Sequence, residues 1–483
     1  MAGPVSYKVA TELPASYMEK LFAFFYTQYL LPQKQRFTNF YRTTVDGVPF
    51  LSYVVLSEQG KQLLKAEVKG TLPIEVKLVP IDYVVSAEAM EEAKQDVVIA
   101  VQIFEQQARK STLYFAWREG EDIVPETLKK KEKSFRRLFL ETQILFFVVF
   151  ITFGMAVFLA VTILFPDAIW IAPILLIAAQ FVFVFYSANF IARTADWHIT
   201  ESNPVIHLLK YTLPLKEHDE LRESLTREQV LAIKKEVYNE ILAKRGEIDC
   251  SGAQAVLEKH GIACQKENMS VKKVNVYQLV KKVADKFGFP MPKIVVTNTM
   301  VPNAAASGPS PSRGVVLITT GLLVQLEENE VISVLGHEFG HLKGRDPLLL
   351  YGLTSAEFLF RFYVLFPLFP FIFYSFLFFA YFWAVMVVIF FIAKFFEARA
   401  DLTSAIMMGK PEILAGALEK IGFQRLLYER TPSFRLQEWL GLDPHPPIYF
   451  RVNRLEQLKA PEKVKHPLIQ SIKDVVAGLR DTI

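Results

Sequence analysis

Long runs with little or no charge constrain this chain more than any other feature of its sequence. Residues 144–165 are 22 uncharged residues in a row. At about 1.5 Å each they reach about 33 Å as a helix, enough for a bilayer core of about 30 Å. Pro166-Asp167 reads as a tight turn, and a second uncharged run, 168–192, ends at Arg193. A third block, 348–393, has 46 residues and two charges, Glu357 and Arg361. They stand four apart, acid first, the favourable order for a helical pair. Pro367 and Pro370 split this block into halves of one span each. The expectation is four transmembrane helices in two hairpins. Glu357 and Arg361 read either as a packed ion pair between helices or as a polar wall of a cavity within the membrane.

Basic residues set the orientation. Lys129, Lys130, Lys131, Lys133, Arg136 and Arg137 precede the first run, and Arg193 follows the second. Lys343 and Arg345 precede the third block, Lys394 and Arg399 follow it, and neither hairpin tip has a Lys or Arg. The positive-inside rule then puts both termini and all soluble mass on the cytoplasmic side of a cell membrane. The run at 129–137 also suits anionic lipid heads.

Composition agrees with a hybrid of membrane and soluble parts. The chain is 52% apolar with 41 Phe, yet 22% charged, which excludes a disordered chain, a collagen or a disulfide scaffold. The 54 basic and 50 acidic residues balance too evenly to imply a nucleic-acid partner. Cys250 and Cys264 read as free thiols. The opening MAGPVSYKVATELP lacks the apolar core of a signal peptide.

The fold class expected is α+β: an integral membrane protein with four transmembrane helices, a mainly helical domain with a small sheet, and an N-terminal α+β domain. Residues 1–128 form that N-terminal domain. It has a helix over 16–31, strands at 49–56, 75–79, 97–104 and 112–117, and a helix near 87–94. No catalytic pattern occurs in it. Residues 129–193 are the first hairpin and 194–347 the first part of the mainly helical domain. Thr226-x-x-Gln229 reads as a capping box, and Ser251 as the cap of a helix that Gly261 ends. A helix at 274–287, strands at 293–296, 303–307 and 315–319, and a long helix from Glu327 follow. Residues 348–396 are the second hairpin and 397–483 the second part of the mainly helical domain.

The long helix carries His337-Glu338-Phe339-Gly340-His341. In H-E-x-x-H the two histidines lie on one helical face and can grip one metal ion, here one Zn²⁺. Glu338 then stands beside the metal, placed to take a proton from water bound there. A third ligand is needed. The metzincin pattern asks for His six residues after His341, where Pro347 stands. Glu397, in Glu397-Ala398-Arg399-Ala400-Asp401 just after the fourth run, supplies one instead. Asp401, one turn on, is placed to accept from a ligand imidazole, that of His337. His341 and Glu397 must lie on one membrane face, so the chain between them crosses an even number of times, as 46 residues allow. Zinc therefore belongs close to the cytoplasmic membrane surface. His198, His207, His218, His260 and His466 have no partner pattern.

HEFGHLKGRD with EARAD resembles the membrane-bound gluzincin peptidases that include the HtpX heat-shock protease and the CAAX prenyl proteases. Asn303-Ala304-Ala305-Ala306-Ser307-Gly308 is similar to that family's edge segment, Val315 to Leu323 to the strand and turn before its zinc helix, and His445-Pro446-Pro447 with Arg451 to its late element. The resemblance runs from about 274 to 458, and four spans resemble HtpX more than the CAAX enzymes. The N-terminal domain of about 130 residues is a departure from that pattern.

The resemblance implies metal-assisted amide hydrolysis. His337, His341 and Glu397 hold zinc, and Glu338 takes the proton and passes it to the leaving amine. His445 stabilises the developing oxyanion, and Arg451 supports the site or the fold. The backbone around Asn303, Ala304 and Ala305 pairs with an extended substrate. The expected function is a membrane zinc endopeptidase for quality control, with membrane or misfolded polypeptides as substrates and the bilayer as partner; the oligomeric state is open. A prenyl-protein peptidase is the nearest alternative. A silent, substrate-holding pseudoprotease is the third, against which the presence of Glu338 argues.

Overall fold

The structure is a computed structural model. It describes residues 4–482 apart from 58, 82–84, 111, 120–155, 157–158, 165–169, 213–226, 246–248, 263, 374 and 430–431. The basic run 129–137, most of the first expected span, the Pro166-Asp167 turn, Thr226 and His218 lie outside the described residues. The chain forms two compact units, Met1–Phe115 with His207–Lys272, and Ala116–Ile206 with Lys273–Ile483. The sequence divides differently, at 128 and 194. Residues 207–272 pack with the N-terminal segment through contacts such as Lys210 Nζ to the Glu12 carbonyl at 2.8 Å and Ser16 to Asn268 at 2.7 Å.

The first unit holds a five-stranded antiparallel sheet with strands in the order Val5–Val9, Ile74–Pro80, Gln62–Lys69, Val48–Leu56, Phe37–Val45. Asp46 and Gly47, both at positive φ, make its tightest hairpin, an Asp-Gly pair suited to that conformation. The helix expected near 87–94 runs on to Lys110, so the strand expected at 97–104 is helical. Val97 to Phe104 is rich in β-branched residues, but Ala93, Val97, Ala100, Val101, Phe104 and Ala108 are buried at helical spacing. Burial along one helical stripe outweighs local β preference. Likewise the helix Cys250–Lys259 is capped by Asp249, whose carboxylate accepts from Gly252 N at 2.7 Å, and Ser251 falls inside its first turn.

A buried ionic cluster ties this unit together. Glu12 pairs with Arg109 and, at 3.1 Å, with Lys210. Glu105 accepts from the Thr11 hydroxyl at 2.6 Å and from Glu12 N at 2.9 Å. Burial first, and the Glu12 carboxylate second, push the Glu105 carboxyl up to about 7.

The second unit is built on a four-stranded sheet in the order Ala304–Ser307, Val315–Thr319, Lys293–Thr297, Trp197–Ile199. Val315–Thr319 runs parallel to Lys293–Thr297 and antiparallel to Ala304–Ser307, which is left as an edge. The helix Ala172–Thr194 covers one face, setting Ala188 and Ala192 on Val295, Val315 and Leu317. By strand alternation Ile294, Val296, Val316 and Ile318, all buried, turn to the other face.

Two described helices are long and apolar enough to cross a bilayer, Asp346–Leu368 and Leu377–Met408, and Ala172–Tyr186 is a shorter apolar helix. Glu357 and Arg361 pair within one helix, Nη2 to Oε2 at 3.2 Å, rather than between two. Tyr381 from the next helix donates to Glu357 at 2.9 Å, and the Arg361 guanidinium lies over the Phe358 and Phe382 rings. The charges are closed among themselves within an apolar hairpin, as low dielectric demands.

Candidate metal centre

The motif helix, Glu328–Gly344, starts with a reciprocal capping box between Glu327 and Glu330, a feature worth about 1 kcal/mol. Lys420 holds Glu330 at 2.6 Å. Phe339, within H-E-x-x-H, packs its ring on Phe287 and Phe289 at 5.6 and 6.1 Å between centroids. That contact fixes the rotation of the helix and turns His337 and His341 toward the long helix Leu377–Met408. Glycine lets the two helices close. A Cβ at Gly340 would meet Ala400 Cα at 2.9 Å, and one at Gly344 would overlap the Arg399 guanidinium.

The close approach gathers three donors. His337 Nε2 and His341 Nε2 are 3.1 Å apart, and they lie 3.4 and 3.3 Å from the two oxygens of Glu397. Behind each imidazole stands a carboxylate: Asp401 is 2.8 Å from His337 Nδ1, and Asp346 is 2.7 Å from His341 Nδ1. Arg451 grips Asp401 with two bonds of 2.8 and 2.7 Å, and Arg399 pairs with Asp346. Both carboxylates are placed to accept from the Nδ1 atoms, which leaves the two Nε2 atoms as the ones turned to Glu397.

Two imidazole nitrogens and a carboxylate converging on one point make up a donor set for a divalent cation. Glu397 Oε2 is buried and without a hydrogen-bond partner. Zinc at about 2.0–2.2 Å from tetrahedral ligands sets N and O donors about 3.3–3.5 Å apart. The distances found fit such an ion. Electrostatics agree. Burial acts to lower the pKa of His337, but Asp401 outweighs it and the net shift is upward. His341 rises well above the ordinary value, where Glu397 and Asp346 overcome burial. A pocket that draws a proton this strongly draws a divalent cation in the same way.

Other expected residues stand around this point. Glu338 accepts from Ala306 N at 2.9 Å, which sets its carboxylate between the motif helix and the edge strand. His445 Nε2 is 3.7 Å from Glu397, and its Nδ1 is 2.8 Å from Asp443. Burial opposes charge on Asp443, yet His445 and Arg425 hold its carboxyl well below the usual range. Asn303 is bonded to Thr319 through both its N–H, at 2.9 Å, and its carbonyl, at 3.0 Å. Ala305 faces Leu317 across the same ladder. The amide aimed at the site is that of Ala306, and by alternation Ala304 shares its outward side.

Two participants escaped the sequence reading. Asp346 reaches His341 because Arg345 adopts a left-handed conformation, φ 54°, and folds the chain back after the helix. The signal available was the Gly344-Arg345 break with an acid directly after it. Asp443 had only its place two residues before His445.

The comparisons meet this geometry. The profile of Peptidase family M48 matches residues 270–459. A "Protease HtpX homolog" of Pyrococcus abyssi is 32% identical over 225 residues, 38% of this chain and 73% of that one. Another, of Gemmatimonas aurantiaca, is 30% identical over 228 residues, 38% and 76% of the two chains. The chain belongs to peptidase family M48. It is an HtpX-like M48 metallopeptidase, and the matched region holds every residue of the cluster described above. A crystal structure of S. mikatae Ste24p matches 37% of this chain and 49% of that chain at 17% identity, with a TM-score of 0.30.

Proposed function

We propose that this M48 chain is a zinc-dependent endopeptidase anchored by four membrane spans, with both termini and the metal centre at the cytoplasmic face. Its substrates are membrane or misfolded proteins, and its role is quality control. The observation that carries the chemistry is the convergence of two imidazole Nε2 atoms and Glu397 beside Glu338. His337, His341 and Glu397 hold the ion, with Asp401 and Asp346 fixing the two rings. A bound zinc ion supplies a Lewis acid that polarises the scissile carbonyl and acidifies water.

The rest is done by side chains. Glu338, held by the Ala306 amide, takes the proton from the attacking water and returns it to the leaving amine. An extended substrate pairs with the outward side of Ala304–Ser307, where Ala304 leaves backbone groups unpaired by the neighbouring strand. His445, oriented by Asp443, faces the developing oxyanion. Arg451 acts through Asp401 on His337 and is a positioning residue.

The location rests on the apolar hairpin lying between His341 and Glu397 in the chain, and on the basic residues flanking it. HtpX homologues as relatives support quality control over prenyl-protein cleavage. The test is Glu338→Gln in the reconstituted chain. Zinc content should stay at one per chain while cleavage of casein and self-cleavage are lost, and the inactive form should retain membrane proteins as trapped substrates. Unchanged cleavage sinks the mechanism.

A further inference from the structure

We propose that the C-terminal helix, Pro467–Arg480, docks on the lipid bilayer beside the second apolar hairpin. The proposal rests on the membrane reading above and extends it to a helix far too short to span. One face of this helix is fixed on the protein. Ser471 and Val475 are buried, and a Cβ at Gly478 would meet Phe450 at 2.6 Å and Trp439 at 3.0 Å. Arg454 locks the same face, donating to Asp474 at 2.7 Å, to Ser471 at 2.9 Å and to the Ala398 carbonyl of the long helix. The helix cannot roll.

At about 100° per residue, Ile469, Ile472 and Val476 then fall on one adjoining face. They are 54%, 37% and 49% exposed. Lys473 and Arg480 border that face on its outer side, while Asp474 is taken up by Arg454. An apolar stripe edged with basic side chains is the pattern of a helix seated at a membrane interface, its cations reaching the head groups.

Continuity identifies the occupant as lipid. Leu479 of the same helix packs with Phe391 and Phe395 of the long helix around Ala398, Trp439 and Val475. One and two turns further back along the long helix, Val388 and Trp383 are exposed on its apolar half. Beside them, Leu440 and Leu442 are also exposed, and Lys394 holds the Gly441 carbonyl between them at 3.5 Å. Exposed apolar residues thus lie on the spanning half of the long helix and on two further elements, one of which, the C-terminal helix, packs with it through Leu479, Phe391 and Phe395. A second copy of the chain is a poorer occupant, because a two-fold contact over this stripe would bring the Lys473 and Arg480 rows together.

The test uses the full chain in vesicles of phosphatidylethanolamine and phosphatidylglycerol. With Cys250 and Cys264 replaced by Ser, nitroxide labels are placed through Ile472→Cys, Val476→Cys, Val388→Cys and Gln470→Cys. The expected oxygen-to-nickel accessibility ratio at 472 and 476 matches that at 388 and is several-fold above that at 470. Labels at 472 and 476 matching 470 while 388 stays in lipid overturn this proposal alone. Water access at 388 as well overturns the membrane reading and the proposal with it. Dipolar broadening at 476 that dilution with unlabelled chain removes assigns the stripe to a second copy and also overturns it. Carbene photolabelling from the lipid tails of the unsubstituted chain is the independent check. It should mark the peptide of residues 467–480 together with that of 377–393, and labelling of the latter only refutes docking.

Discussion

Two buried charge clusters, one in each unit, follow opposite rules. Around Glu12 every charged group meets a partner within the chain: Arg109 and Lys210 for Glu12, and the Thr11 hydroxyl, a backbone amide and, at 3.9 Å, Arg109 for Glu105. Around Glu397 the outer groups are equally closed, Arg451 on Asp401 and Arg399 on Asp346, but the inner ones, His337, His341 and Glu397, converge on one point as a metal donor set. Burying charge costs several kcal/mol per ion unless it is paired. The first cluster resolves that cost internally and stabilises a fold. The second leaves a donor set open at one point that a cation would close. Closure, more than burial or charge count, separates a structural cluster from a reactive one.

Substitutions can break that contrast, and the largest effect belongs to the open cluster. Glu338→Gln removes the proton carrier and should lower the turnover number about 10²–10⁴-fold with zinc retained. Equal loss of zinc and activity would instead make Glu338 part of the metal's hold. Next is the closed cluster. Glu12→Gln leaves Lys210 without its countercharge and Arg109 with only Glu105 at 3.9 Å, and should lower unfolding stability by about 3 kcal/mol, the low end for a broken buried pair because both cations keep some solvent contact. Peptidase activity of the folded fraction should not change. Asp346→Asn and Asp401→Asn should each weaken zinc binding about 10–100-fold in competition with a chelator, with the protein still folded.

The pH response gives the smallest and sharpest contrast. His337 and His341 have raised pKa values in the metal-free chain. Their stabilisation is complete below the ordinary histidine value of about 6.5 and is lost as pH rises through the raised values. Zinc needs both rings deprotonated, so zinc-dependent stabilisation should grow over that same rise. Melting curves of chelator-treated and zinc-loaded protein should therefore slope in opposite directions. Glu105, raised to about 7, contributes stability that is full below 4.5 and fades as pH rises through about 7. Glu105→Gln should flatten that part of the curve.

The sequence made the open cluster legible and the closed one invisible, for a physical reason. His337 and His341 sit one turn apart on a helix, as do Glu397 and Asp401, so spacing reports geometry directly. Glu12 meets Arg109 and Lys210 across 97 and 198 positions, which no periodicity records. Asp346 is close in sequence to His341 yet was missed, because its approach depends on a single left-handed residue at Arg345. The helix over 97–104 was misread where local preference and the buried stripe disagreed. The edge strand was placed within one residue, but which of its amides faces the site follows from ladder alternation and needed the structure.

The helix Leu377–Met408 runs 32 residues without a break, from the apolar hairpin to Glu397, Asp401 and beyond. On the membrane reading proposed above, hydrolase and anchor are one covalent rod. Severing the chain at the bilayer surface would not release a smaller, water-soluble enzyme; it would amputate the ligand-bearing helix from the end that fixes its position. Shedding, a common fate of membrane-tethered catalytic domains, is closed to a protein drawn this way, and any attempt to engineer a soluble version must first supply a new foundation for residue 397.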